Sequence, residues 1–181
     1  IDKLVISHGD SDHFGGANTL LDYFTVSSVL TSAPEKFSVA ITSCLAGQTW
    51  QWDGVVFDVL YPDKWHQHLG NNSSCVLRVR ANNQSVLLVG DLEAIAEANL
   101  VKTYGSALTV DVLVAPHHGS NTSSTPGFVD AVAPKKAILS YGFMNVYNFS
   151  GSAVIKRYKA KDVEVLATQD KSVTLIPKRG N

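Results

Sequence analysis

The chain has 181 residues, of which 45% are apolar and 17% charged, and it carries a net charge of −1. A domain of this size buries roughly 70% of the surface its unfolded chain exposes, so a real core is expected and a disordered or low-complexity chain is excluded. The near-neutral charge also excludes a global positive field of the kind that draws a protein to nucleic acid, which leaves only local patches for that purpose.

In chain order, the first element is the apolar run Leu4, Val5, Ile6, which ends in the turn "SHGDSDHFGG". His8, Asp10, Asp12 and His13 fall within six residues, and Gly9 is expected to give the turn its backbone freedom. A helix is predicted over about 16–24 and a strand over 28–32. Cys44 and Cys75 form one disulfide or none, since their spacing matches no CxxC signature. "QTWQWDG" alternates, which turns one of Trp50 and Trp52 toward the core; with Trp65 they are candidates for base stacking. Further strands are predicted over 55–61 and 75–80, with "ANNQ" as a hairpin turn.

Two later runs repeat the grammar of the first, an unbroken apolar strand followed by a turn rich in Asp or His. They are "SVLLVGDLE", carrying Asp91, and "DVLVAPHHGS", carrying His117 and His118. Continuous apolar runs of this length read as strands buried on both faces, inside a layered α/β fold. Helices are predicted over 92–104, 125–132 and 152–160, and strands over 137–141, 163–167 and 172–176. Lys156, Arg157, Lys159 and Lys161 form the best candidate basic face, with Lys135, Lys136, Lys178 and Arg179 as contributors; a solvated helix face accounts for them equally. No run of about 18 apolar residues and no signal peptide is visible.

Carboxylates and imidazoles without a nearby thiolate suit Zn(II), Mn(II) or Fe(II) in a reactive rather than a structural centre. The expectation is a two-metal hydrolytic site, in which one carboxylate bridges ions about 3.5–4 Å apart. Asp91 is the natural bridge. His8 and Asp10 then hold one ion, while Asp12, His13 and one of His117 or His118 hold the other. Asp12, Asp91 and His118 are the catalytic candidates, with Asp12 steering the attacking water. Asn72, Ser74 and Ser120, with Lys156 and Arg157, are candidate substrate contacts; Ser73, Thr122, Ser123 and Ser124 stand beside them. Turn and helix-cap roles compete for these residues. His66 and His68 form an HxH pair in a loop, which reads as an exposed pair rather than a ligand pair.

The motifs "SHGDSDHFGG", "NNSSCVLRV", "LLVGDLEAIAEANL" and "DVLVAPHHGSNTSSTPGFVDAVAPKKAILSYG", in this order, resemble the metallo-β-lactamase-fold domain of ComEC-type DNA internalization proteins of competent bacteria. The resemblance spans nearly the whole chain, read as one domain over 1–181. It implies an αββα sandwich with metals at the sheet edges. It further implies a metal-dependent nuclease acting on one strand of incoming DNA, within a polytopic channel protein of the inner membrane, on the extracytoplasmic side. Two other readings stand beside it, a metal-poor module that guides DNA and a hydrolase of small esters, lactones or lactams. Asp10 stands where the wider superfamily has His, which favours harder ions such as Mn(II). Phe149, Ser150, Gly151 and Ser152 replace a stretch that carries His and Pro in the family, so a distal contact is expected to be missing. The chain also opens only a few residues before the first motif, so the N-terminal strands of the fold are expected to lie outside it.

Overall fold

A computed structural model describes residues 1–37, 41–142, 152–169 and 172–175. Its elements run β1 (Leu4–Ile6), α1 (Ser11–Phe14), α2 (Ala17–Tyr23), β2 (Val29–Thr31), β3 (Thr42–Ser43), β4 (Thr49–Trp52), β5 (Val55–Tyr61), β6 (Val76–Ala81) and β7 (Gln84–Leu88). They continue α3 (Ala94–Tyr104), β8 (Val112–Val114), α4 (Pro126–Val132), β9 (Lys136–Leu139), α5 (Ser152–Lys159) and β10 (Glu164–Ala167). The strands form two sheets, β1-β2-β3 and β10-β9-β8-β7-β6-β5-β4. The smaller sheet is parallel, and the larger is parallel from β10 to β7 and antiparallel from β7 to β4.

Side-chain alternation along the strands sorts the apolar residues into three cores, and these set the layers. Leu4 and Ile6 of β1 point outward to Phe14, Ala17 and Leu21 of α1 and α2. Val5, between them in sequence, points the other way, into a core with Leu30, Trp50, Phe57, Val59, Leu77 and Val79 that joins the two sheets. The far face of the large sheet buries Leu87, Leu113 and Leu139 against Leu100 of α3, Phe128 and Val132 of α4, and Val154 and Tyr158 of α5. The order helix, sheet, sheet, helix is the expected αββα sandwich.

Helix ends follow from local chemistry. Thr125 caps α4 by accepting from Phe128 N–H, and Pro126 starts the helix where no N–H is needed. The cap is therefore Thr125 rather than the serines before it. Ser123 donates instead to the carbonyls of Pro116 and Ser120, and Ser124 is held with Thr125 by Glu97, a fully buried carboxylate of α3 that accepts from their N–H groups at 2.5 and 2.7 Å. Burial pushes the Glu97 carboxyl above the usual range, against the pull of those donors and of the Arg157 guanidinium.

Several expectations need correction. β7 and β8 are interior strands, but among the described residues β1 is an edge strand that pairs only with β2, and Leu88 of β7 is 38% exposed where the three-stranded sheet does not cover the seven-stranded one. The tight turn expected after β1 is in part helical. Phe14 N–H and His13 N–H both bond to Asp10 C=O, closing the single turn of α1. Gly9 holds no left-handed backbone, so its expected conformational role is not used; a Cβ there would instead sit tightly, 3.1 Å from Ala33 Cβ. Trp50 and Trp52, two residues apart, share a face and both contact Phe57; Trp50 stacks on it and is half-buried, whereas Trp52 is exposed. No strand forms over 172–175, while Phe149, Ser150, Gly151, Lys178 and Arg179 fall outside the described residues. Cys44 and Cys75 are joined in a disulfide that links the end of β3 to the start of β6, hence one sheet to the other. Among the described residues, no helix is long and apolar enough to cross a membrane.

Candidate metal centre

Three strand ends deliver the charged turns to one place. β1 leads into His8, Asp10, Asp12 and His13, β7 into Asp91, and β8 into His117 and His118. Tight backbone packing makes the convergence. Gly90 holds φ +56, and a Cβ on it would meet Ser7 Cβ at 2.8 Å and Ser74 Oγ at 2.9 Å, so only glycine lets the β7 end lie against β1. His117 and His118 also sit at positive φ, at 50° and 55°, a conformation that non-glycine residues hold only when the surroundings enforce it.

Asp91 is the hub. Its carboxylate is almost fully buried and lies 3.2 Å from His13 Nε2, 3.6 Å from His118 Nε2, 3.8 Å from His117 Nε2 and 4.0 Å from His8 Nε2. Burial acts to raise its pKa, but the His13 hydrogen bond and the charges of His13, His118 and His8 outweigh this and hold it below the usual range. Asp91 is therefore ionised. Its hydrogen bond to Asp91 raises the pKa of His13 against the effect of burial, whereas burial, reinforced by His13, lowers that of His8. Asp12, His13, Asp91 and His118 each offer a ligand atom within 4.8 Å of the others. On the other side of Asp91, His8 Nε2 lies 3.7 Å from Asp10.

The residues fit divalent cations. His8 Nε2 is buried without a hydrogen-bond partner, and the Nδ1 atoms of all four histidines are occupied elsewhere. His8 and His13 use Ser7 Oγ, His118 uses the Ser140 carbonyl at 2.6 Å, and His117 uses Thr122 Oγ1 at 3.2 Å with Glu93 at 3.5 Å. Partners on Nδ1 orient the rings and leave Nε2 for an ion.

The model of the metallo-beta-lactamase superfamily matches residues 1–142. The chain belongs to this superfamily. It is 42% identical over 93% of its length to Competence protein ComA of Neisseria gonorrhoeae and 37% identical over 87% to Recombination protein 2 of Haemophilus influenzae. ComE operon protein 3 of Bacillus subtilis is 32% identical over 93%. These are relatives of the ComEC type. The chain spans about a quarter or less of their length, 24%, 20% and 23% respectively. Among solved structures, Igni18, a metallo hydrolase from Ignicoccus hospitalis, matches with a TM-score of 0.64 at 15% identity, covering 98% of this chain and 80% of that one. That likeness shows the superfamily fold alone.

Within this superfamily frame, His8, Asp10, Asp12, His13, Asp91, His117 and His118 are brought together as the sequence led one to expect. His118 rather than His117 completes the four-residue cluster; His117 Nε2 stands beside it, 3.8 Å from Asp91. The expected substrate contacts are placed differently. Asn72 Oδ1 accepts from the N–H groups of Glu93 and Ala96 and so caps α3. Ser74 is buried and its Oγ accepts from Asp91 N–H, so it positions the hub and does not face solvent. Ser120 Oγ bonds to Thr122. Arg157 is turned inward and donates to the carbonyls of Ser123 and Ser124, which leaves Lys156 exposed beside it. The wider basic face is partly neutralised, with Lys135 on Asp111, Lys136 on Glu164 and Lys161 on Asp130. His66 is engaged by Asp63 at 2.7 Å and packs against Tyr61. Sequence reasoning missed Ser7, Glu93 and the Ser140 carbonyl. Only Glu93, two residues after Asp91 in "GDLE", left a trace there.

Proposed function

We propose that this metallo-hydrolase domain is a phosphodiesterase that degrades one strand of DNA entering a competent cell. The observation that carries the reading is the convergence of oxygen and nitrogen donors on one ionised carboxylate at an open rim, where Asp10 and Asp12 side chains are 59% and 61% exposed. A polymer can reach such a rim, and the relatives bear the names of competence and recombination proteins. Asp12, His13, Asp91 and His118 would hold one cation, and His8, Asp10 and Asp91, with His117 beside them, a second. Cations there would supply Lewis acidity toward a phosphoryl oxygen and toward water. The protein's own part is positioning. Asp91 Oδ1 faces His13 while Oδ2 faces His8, His117 and His118, the Nδ1 partners fix the rings, and exposed Asp12 accepts the proton of the attacking water. Lys156 is left as the phosphate contact on α5.

In this reading the domain belongs to a longer channel protein and faces away from the cytoplasm. The buried disulfide supports that side, because such bonds persist in oxidising compartments. The experiment is cleavage of linear single- and double-stranded DNA by metal-loaded protein. Mn(II) should support cleavage better than Ca(II), the poorer Lewis acid. Asp12→Ala should lower the rate by roughly 10²–10⁴. A loaded protein that cuts neither substrate but hydrolyses a small ester or lactone would replace this reading with the small-molecule one.

A further inference from the structure

One hydroxyl touches two of the ligand-type histidines. Ser7 Oγ lies 3.1 Å from His8 Nδ1 and 3.0 Å from His13 Nδ1. The two rings serve opposite halves of the centre, His8 beside Asp10 and His13 beside Asp12 and His118. His117 and His118 find their Nδ1 partners elsewhere, at Thr122 and Ser140.

A serine hydroxyl accepts two hydrogen bonds and donates one. A neutral imidazole carries its proton on one nitrogen, and an acceptor at Nδ1 fixes the proton there and leaves the lone pair on Nε2. His8 gives an independent sign of this arrangement. Its Nε2 is buried with no partner, so an N–H at that atom would be a buried donor with nothing to bond, the costlier alternative.

We propose that Ser7 is a positioning residue whose hydroxyl takes Nδ1–H from both His8 and His13, so that in the cation-loaded centre, where a cation takes the place of the His13 Nε2 proton now shared with Asp91, one Nε2 lone pair is aimed into each half. The serine is itself held in place. Its carbonyl accepts from Cys75 N–H at 2.8 Å and from the Ser32 hydroxyl at 2.7 Å, and Gly90 packs against its Cβ. A neutral acceptor also has an advantage here over a carboxylate, the frequent partner of ligand imidazoles. It sets the tautomer without adding a further negative charge to those of Asp10, Asp12, Asp91 and Glu93.

This inference rests on the cation reading above and not on the choice of DNA as substrate. The test is equilibrium titration of Zn(II) and Mn(II) into metal-free wild-type, Ser7→Ala and Ser7→Thr proteins, with ¹⁵N NMR of the imidazoles in the Zn(II)-loaded state. Ser7→Ala should bind cations about 10–100-fold more weakly in both halves together, and Ser7→Thr should restore binding. Slowly exchanging Nδ1–H signals from His8 and His13 should be present in wild type and lost in Ser7→Ala. Wild-type affinity in Ser7→Ala, loss in one half only, or a Ser7→Thr protein no better than Ser7→Ala would overturn the proposal. Should Ser7→Ala fail to fold, the wild-type spectrum decides, since a proton on Nε2 of either ring contradicts it. Wild-type protein that binds no cation would remove the metal reading as well, whereas binding with an indifferent Ser7→Ala would remove this inference alone.

Discussion

Asp91→Ala is expected to strip the domain of nearly all its bound metal under conditions where the wild type is loaded. All four histidines of the centre meet this carboxylate, with their Nε2 atoms between 3.2 and 4.0 Å from it. In the proposed centre, removing Asp10 or His118 would take a ligand from one half, whereas removing Asp91 would take one from both. The fold should survive, because Asp91 is placed by its backbone N–H on Ser74 Oγ and by Gly90, neither of which the substitution touches. His66→Ala and His68→Ala serve as comparisons. His66 belongs to a separate turn built on Asp63, which accepts from its ring and from the backbone N–H groups of Trp65 and His66. Elemental analysis of the purified proteins should show near-complete loss in the first variant and wild-type content in the other two. Equal loss in all three would mean that the metal sits elsewhere.

Reduction of the Cys44–Cys75 disulfide is expected to lower both stability and metal affinity. The bond closes a span of 31 residues, for which chain-entropy arguments give roughly 3–4 kcal/mol of stabilisation. It also lies directly under the centre. Cys75 N–H holds the Ser7 carbonyl, and the adjacent Ser74 holds Asp91. Loosening the join between the sheets therefore moves the β1 ligands relative to the β7 ligand. Urea denaturation of the Cys44→Ala/Cys75→Ala double variant should show a lower midpoint at similar slope, and its metal affinity should fall in parallel. Coincident unfolding curves would show that the sheet-to-sheet core carries the join without the bond.

The strand ends were the legible part of this protein. β7 and β8 announce themselves because an interior parallel strand has no polar face, so "VLLV" and "VLV" run unbroken into Asp91 and the His117–His118 pair. The helix α1 was illegible, since four residues are too few to show a period of 3.6. The two-residue strand β3 carries no pattern of its own. Misplaced side chains share one cause. "IKRYK" reads as a basic surface until the buried carbonyls of Ser123 and Ser124 are seen facing Arg157. Asn72 reads as a loop residue until α3, twenty-odd positions later, is seen to start on it. Ser7 drew no notice because nothing in a sequence shows which atom an imidazole Nδ1 will meet. Ligand types are written in the chain, whereas the groups that orient them are supplied by packing.

In the proposed centre two cation positions share Asp91. This sharing is tested most directly by anomalous scattering from crystals of the protein loaded with Mn(II). Two peaks are expected to flank the Asp91 carboxylate, one among Asp12, His13 and His118 and the other beside His8 and Asp10. No peak at Asp91, or a dominant peak at the Asp63–His66 turn, would contradict it.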